Sequence, residues 1–177
     1  MKLPYHKSLL ILVVLISTYS YSQSNKKESN FGIIFSPGYT IQGNSFLDLN
    51  LLFGNVNVQE NVKLPPLLTY SGLRIGLESN LRFNEDYVIA PKIGYEHNIM
   101  LFTFRGSVIN YFQNDQSELR VLPEIGLSLF TLVDFTYGYG IPINNAELNN
   151  VSNHRFTIRI NLNKKLNGQF FYSDLPR

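Results

Sequence analysis

The chain has 177 residues and no cysteine. That excludes a disulfide framework, a thiolate metal site and a lipid-modified N-terminal cysteine. It also suits export without dependence on oxidation. Neither sign of charge is in clear excess. With Lys2 and Lys7 set aside, the 15 basic residues become 13, against 13 acidic. A nucleic-acid partner asks for a basic face, so none is expected. Histidine is scarce: beyond residue 22 there are only His97 and His154. A hydrolytic His-Ser-acid group must converge on one surface. Neither histidine has a serine at a telling spacing, and G-x-S-x-G is absent. No catalytic, cofactor-binding or metal-binding residue is therefore assigned, no cofactor is implied, and the chain is not read as an enzyme. Long apolar runs are missing too. A membrane-spanning helix needs about 20 apolar residues, and nothing after residue 22 approaches that. Membrane residence would have to rest on strands.

Residues 1–22 have their own pattern. Lys2 and Lys7 form a positive n-region, 9–16 is an unbroken apolar run, and Ser20 and Ser22 are small residues before Gln23. This predicts a cleaved secretory signal peptide, too short to be a spanning helix.

The rest alternates. In 119–129, Leu119, Val121, Pro123, Ile125, Leu127 and Leu129 oppose Arg120, Leu122, Glu124, Gly126 and Ser128. In 133–143, Val133, Phe135, Tyr137, Tyr139, Ile141 and Ile143 oppose Asp134, Thr136, Gly138 and Gly140. Period two is the signature of a strand, whose successive side chains point to opposite faces. The same pattern predicts strands at 31–42, 45–57, 68–83, 87–97, 100–112 and 154–163. Gly43-Asn44 and 84–86 are turn signals, 113–117 reads as a polar loop, and Pro65-Pro66 ends a connection. The turn at 130–132 must be tight, yet it lacks glycine. Residues 144–153 form the most polar loop, read as a solvated turn, and 164–177 carry no clear pattern. Eight strands with short joins predict an all-β, closed, antiparallel, up-and-down barrel over 23–163, with a C-terminal tail over 164–177.

Alternation alone leaves open which face is inside. A lipocalin-like carrier lines a pocket with the apolar face. A membrane barrel turns that face to lipid. Several features point to the membrane. Glycines 32, 38, 76, 94, 126, 138 and 140 share the polar face, where a narrow lumen needs small residues beside large ones. The apolar face carries too much volume for one small interior. Aromatic residues gather near strand ends, as in Phe31, Tyr70, Phe83, Tyr87, Tyr95, Phe102, Tyr111 and Phe112, like interfacial girdles. The expected class is a transmembrane β-barrel. Asp48, Arg74, Glu78, Arg82, Lys92, Glu96, Arg105, Arg120, Glu124, Asp134, Arg155 and Arg159 would then face the lumen. Buried charge is tolerated when paired, so the lumen should be packed and cross-linked rather than an open pore. His97 and His154 fall on the apolar side by register.

The runs Ala90-Pro91-Lys92-Ile93-Gly94-Tyr95-Glu96, Leu122-Pro123-Glu124-Ile125-Gly126-Leu127 and Thr136-Tyr137-Gly138-Tyr139 resemble small outer-membrane β-barrel proteins of Bacteroidetes-type bacteria. The resemblance implies an eight-stranded barrel in the outer membrane of a Gram-negative cell. Its partners would be outer-membrane lipid and, during biogenesis, the barrel-assembly machinery; no protein partner is implied. It implies no activity; the leading reading is a structural or interaction role in the envelope. Many such barrels close the last strand on an aromatic residue. Here 174–177 read Asp-Leu-Pro-Arg, well past the eighth strand, which implies either a periplasmic tail or a different register. A secreted carrier and an outer-membrane lipid-modifying enzyme are the alternatives.

Overall fold

The structure is a computed structural model that describes residues 30–58, 68–80, 87–99, 101–129, 131–144, 148 and 151–163. The expected signal peptide, the tail, and Arg82 and Phe83 lie outside these residues. The described residues hold β1 (Asn30–Val58), β2 (Leu68–Ser79), β3 (Val88–Ile99), β4 (Phe102–Gln113), β5 (Gln116–Leu129), β6 (Val133–Tyr139), β7 (Ile141–Pro142) and β8 (Val151–Ile160). All pairings are antiparallel, and β4 meets β5 to close the sheet.

β1 is continuous in extended conformation, where two strands were expected, but it is not straight. Twenty-nine extended residues would reach about 96 Å. Instead Asn50 Nδ2 donates to the Ser36 carbonyl at 3.2 Å, and Tyr39 Oη donates to Ser45 Oγ at 2.6 Å. Residues 14 apart meet only if the chain doubles back. It does so at Gly43, whose φ of 79° suits glycine. The first arm pairs with β8, as in Gly38 with Arg159, and the second with β2, as in Asp48 with Glu78. At the other irregular element, β7 prolongs β6 along the same partner: β5 pairs Ile125 with Tyr137 and Val121 with Ile141. The barrel wall therefore has eight staves joined in up-and-down order.

Two loops are shorter than the sequence expectation, and the glycine-free turn falls at 130–132 as expected. Gln113 pairs with Gln116, so the β4–β5 turn is only Asn114-Asp115, with Asn114 at φ 52°. Asparagine tolerates that left-handed conformation. β8 starts at Val151, which shortens the loop before it. Asn144 fastens that loop to the wall: its Oδ1 accepts from Leu119 N and its Nδ2 donates to the Ser117 carbonyl, both at 2.8 Å. The glycine-free turn is closed by Leu132 N donating to the Leu129 carbonyl at 3.0 Å, with Thr131 at φ 59°. Left-handed backbone is unfavourable for a β-branched residue. Here Asn161 Nδ2 donates to the Thr131 carbonyl at 2.8 Å and helps hold it.

The two faces have the contrast expected of an inside-out protein. Outward side chains are large and apolar: Ile93 and Ile125 are each 52% exposed. Inward ones are charged and inaccessible, with Glu78 at 0% and Arg74 at 1%. Apolar residues also enter the interior at both ends. Phe46, Val88, Ala90, Ile109, Tyr111, Leu122, Leu148 and Val151 pack together at the end that carries the Gly43 and Asn114 turns. Ile34, Leu52, Val56 and Tyr70, with Leu132 against them, pack at the end where β1 begins. Most of the buried charges lie between these two plugs; Glu118 and Arg120 sit beside the first, bonded to Leu148 and Val151.

Candidate functional site: the charged lumen

Each lumen charge is placed by strand parity. Arg74 and Glu78 lie four apart on β2, Lys92 and Glu96 four apart on β3, Arg155 and Arg159 four apart on β8. Even spacing keeps each pair on one face. Glycines on the same face make room for these side chains. A Cβ on Gly138 would lie 2.7 Å from Glu124 Cγ and 3.1 Å from Arg155 Cγ. One on Gly76 would lie 2.7 Å from Lys92 Cε.

The result is a closed ring of alternating sign. Lys92 Nζ reaches Asp48 and Glu78, both at 2.5 Å. Asp48 continues to Arg159 Nε at 3.0 Å, and Arg159 Nη1 to Glu96 at 3.6 Å. Glu96 meets Arg74 Nη1 at 3.0 Å, and Arg74 Nη2 meets Glu124 at 3.1 Å. Glu124 faces Arg155 Nε at 3.6 Å, and Arg155 Nη2 returns to Glu78 at 2.7 Å. Arg105 joins from the side, between Glu96 at 2.8 Å and Asp134. Neutral groups take up further donors: Arg74 Nη2 bonds to Ser107 Oγ at 3.2 Å, and Arg155 Nη2 to Thr40 Oγ1 at 3.2 Å.

Eleven of the twelve residues expected in the lumen are buried there, and Arg82 lies outside the described residues. Arg120 belongs to a separate site nearer the mouth. Its partner is Glu118 at 2.6 Å, a residue the polar-loop reading of 113–117 left aside. Glu118 shares the parity of Arg120 once β5 is extended to Gln116. Arg120 also donates to the carbonyls of Ser152 and Val151 at 2.9 and 3.1 Å, and Glu118 Oε2 accepts from Leu148 N at 3.1 Å. Among the described residues, six buried carboxylates thus face six buried cations.

Two aromatic residues expected in the girdle are corrected. Tyr70 and Tyr111 are buried in the lumen. Tyr70 shares the parity of Arg74, and Tyr111 that of Arg105, so the register already held the answer. Tyr70 Oη lies 2.7 Å from Glu96 Oε1 and 3.1 Å from Asp134 Oδ2. Tyr111 Oη donates to Gln42 Oε1 at 3.0 Å, and its ring lies under the Arg120 guanidinium at 5.1 Å.

This arrangement can hold strands in register. Each ring carboxylate is engaged by cations, and among the described residues no group of His, Cys, Asp and Glu could hold a metal ion. His97 and His154 are on the outer face, as their register implied. His154 Nδ1 is hydrogen-bonded to Tyr137 Oη at 2.7 Å, and its ring packs 5.0 Å from Tyr139. An open apolar hollow of about 620 Å³ lies on the outer wall, bordered by Tyr95, His97, Phe104, Ile125, Tyr137 and Tyr139. No family model, curated protein or solved structure matches this chain.

Proposed function

We propose that the chain is an integral outer-membrane β-barrel protein with a structural or interaction role and a lumen that does not conduct. The observation that carries this reading is the direction of the two faces. Leucine, isoleucine, valine, phenylalanine and tyrosine point outward on every stave, while arginine and glutamate point inward. In water that outer surface would be a continuous apolar patch far beyond the few hundred Å² that soluble monomers expose. In lipid it is the required surface. A lipocalin-like carrier would place its apolar side chains inside.

Two further features support the lipid reading. Hydroxyls among the apolar side chains cannot turn to water in a hydrocarbon layer and need protein partners. Tyr39 finds Ser45, and Tyr137 finds His154. Closure also fits, since strands cross a bilayer only when no edge is left unpaired. The resemblance to small Bacteroidetes-type outer-membrane barrels agrees with this placement, with export by a cleaved signal peptide and insertion by the barrel-assembly machinery. No residue is assigned to catalysis.

Reconstitution tests the proposal. Purified protein should require detergent, float with liposomes, and give no steady single-channel current in a planar bilayer. Solubility in plain buffer would overturn the membrane placement, and a steady current would overturn the filled lumen.

A further inference from the structure

Three arginine nitrogens inside the ring, Arg155 Nε and Arg159 Nη1 and Nη2, are buried and have no hydrogen-bond partner among the described residues. The same three atoms make the long ion pairs. Arg155 Nε is 3.6 Å from Glu124 Oε1, Arg159 Nη2 is 4.0 Å from that oxygen, and Arg159 Nη1 is 3.6 Å from Glu96 Oε2. The other ring links run from 2.5 to 3.1 Å. A polar contact longer than about 3.5 Å raises the question of a water between the groups, and a buried donor without a partner is costly. A second set lies towards the end where β1 begins. Asn98 is fully buried with both Nδ2 and Oδ1 unpartnered, and Thr103 Oγ1, on the paired position of β4, is unpartnered as well.

We infer that the lumen binds buried water, bridging Arg155 and Arg159 to Glu124 and Glu96, and again between Asn98 and Thr103. The chemistry of the ligand follows from the groups that face it. At the ring it must accept from guanidinium N–H and donate to carboxylate oxygen. At Asn98 and Thr103 it must also do both. Water does so; a halide cannot donate, and a metal cation cannot accept. The buried charges, six of each sign, ask for a neutral occupant. Buried waters of this kind make about three hydrogen bonds each. The inference is independent of whether the outer face meets lipid.

The test is water-selective cross-relaxation NMR on the full folded chain in detergent, isotope-labelled at arginine, asparagine and threonine. Long-lived water should give cross peaks to the Arg155 Hε, the Arg159 guanidinium or the Asn98 side-chain amide. Absence of all three overturns the inference. Where those signals overlap, Thr103→Val and Thr103→Ser decide. Removing a hydroxyl that binds water strips the water of a partner, so Thr103→Val should melt lower than the parent while Thr103→Ser stays close to it. Removing a truly orphaned hydroxyl relieves a cost, so a Thr103→Val midpoint at or above the parent's overturns the inference.

Discussion

Glu78 shows what one lumen residue does. It accepts from Lys92 at 2.5 Å and from Arg155 at 2.7 Å, in a site with no access to solvent. Glu78→Gln keeps the shape and removes the charge, leaving two buried cations with one fewer counter-charge. Breaking a buried pair costs about 3–5 kcal/mol, so this variant should lose about that much in urea unfolding from detergent. Gly76 limits the lumen from the other side. Gly76→Val would drive a side chain into Lys92, whose Cε would lie 2.7 Å from the new Cβ. Overpacking of this kind costs about 1–3 kcal/mol, again read by unfolding. These roles were legible in the sequence because parity assigns a face without any knowledge of contacts. The pairing was not. Nothing in the spacing of Asp48 and Arg159 says that they meet across the lumen at 3.0 Å, because that depends on how the strands are staggered around the barrel. Tyr70 and Tyr111 mislead for a different reason: they lie near strand ends, where girdle aromatics gather, while their parity puts them in the lumen.

At the scale of elements, the strands were legible and their ends were not. Alternation fades near a turn, where both faces approach water, so 113–117 reads as a loop although Gln113 pairs with Gln116. Turn backbone is where single residues matter. Asn114 sits at φ 52° between β4 and β5. Asn114→Val should destabilise the barrel by about 1–2 kcal/mol, the usual cost of left-handed backbone for a residue with a Cβ, while Asn114→Gly should be near neutral. Urea midpoints of the two variants against the parent check this. The apolar plugs were only partly legible. Ile34, Leu52, Ile109 and Leu122 share the polar face, but the sequence does not say that they gather at the two ends of the interior with most of the charges between them. That arrangement places most of the desolvated ion pairs in the middle of the wall and seals them above and below.

The whole molecule turns its apolar surface outward, and the environment decides what that costs. Ile93 is half exposed near the middle of β3. If lipid surrounds it, Ile93→Arg should cost about 2–4 kcal/mol, the depth-dependent penalty for arginine on a lipid-facing strand. If water surrounds it, a surface substitution should change stability by no more than about 0.5 kcal/mol. Folding titrations into liposomes separate the two values. The closed ring of strands carries the rest of the account, since both the sealed lumen and the absence of edges depend on it. The most direct measurement is SDS gel mobility of the detergent-extracted protein, unheated against boiled. A compact barrel that resists SDS predicts a faster band when unheated and a slower one after boiling. Equal mobility, together with solubility in plain buffer, would contradict it.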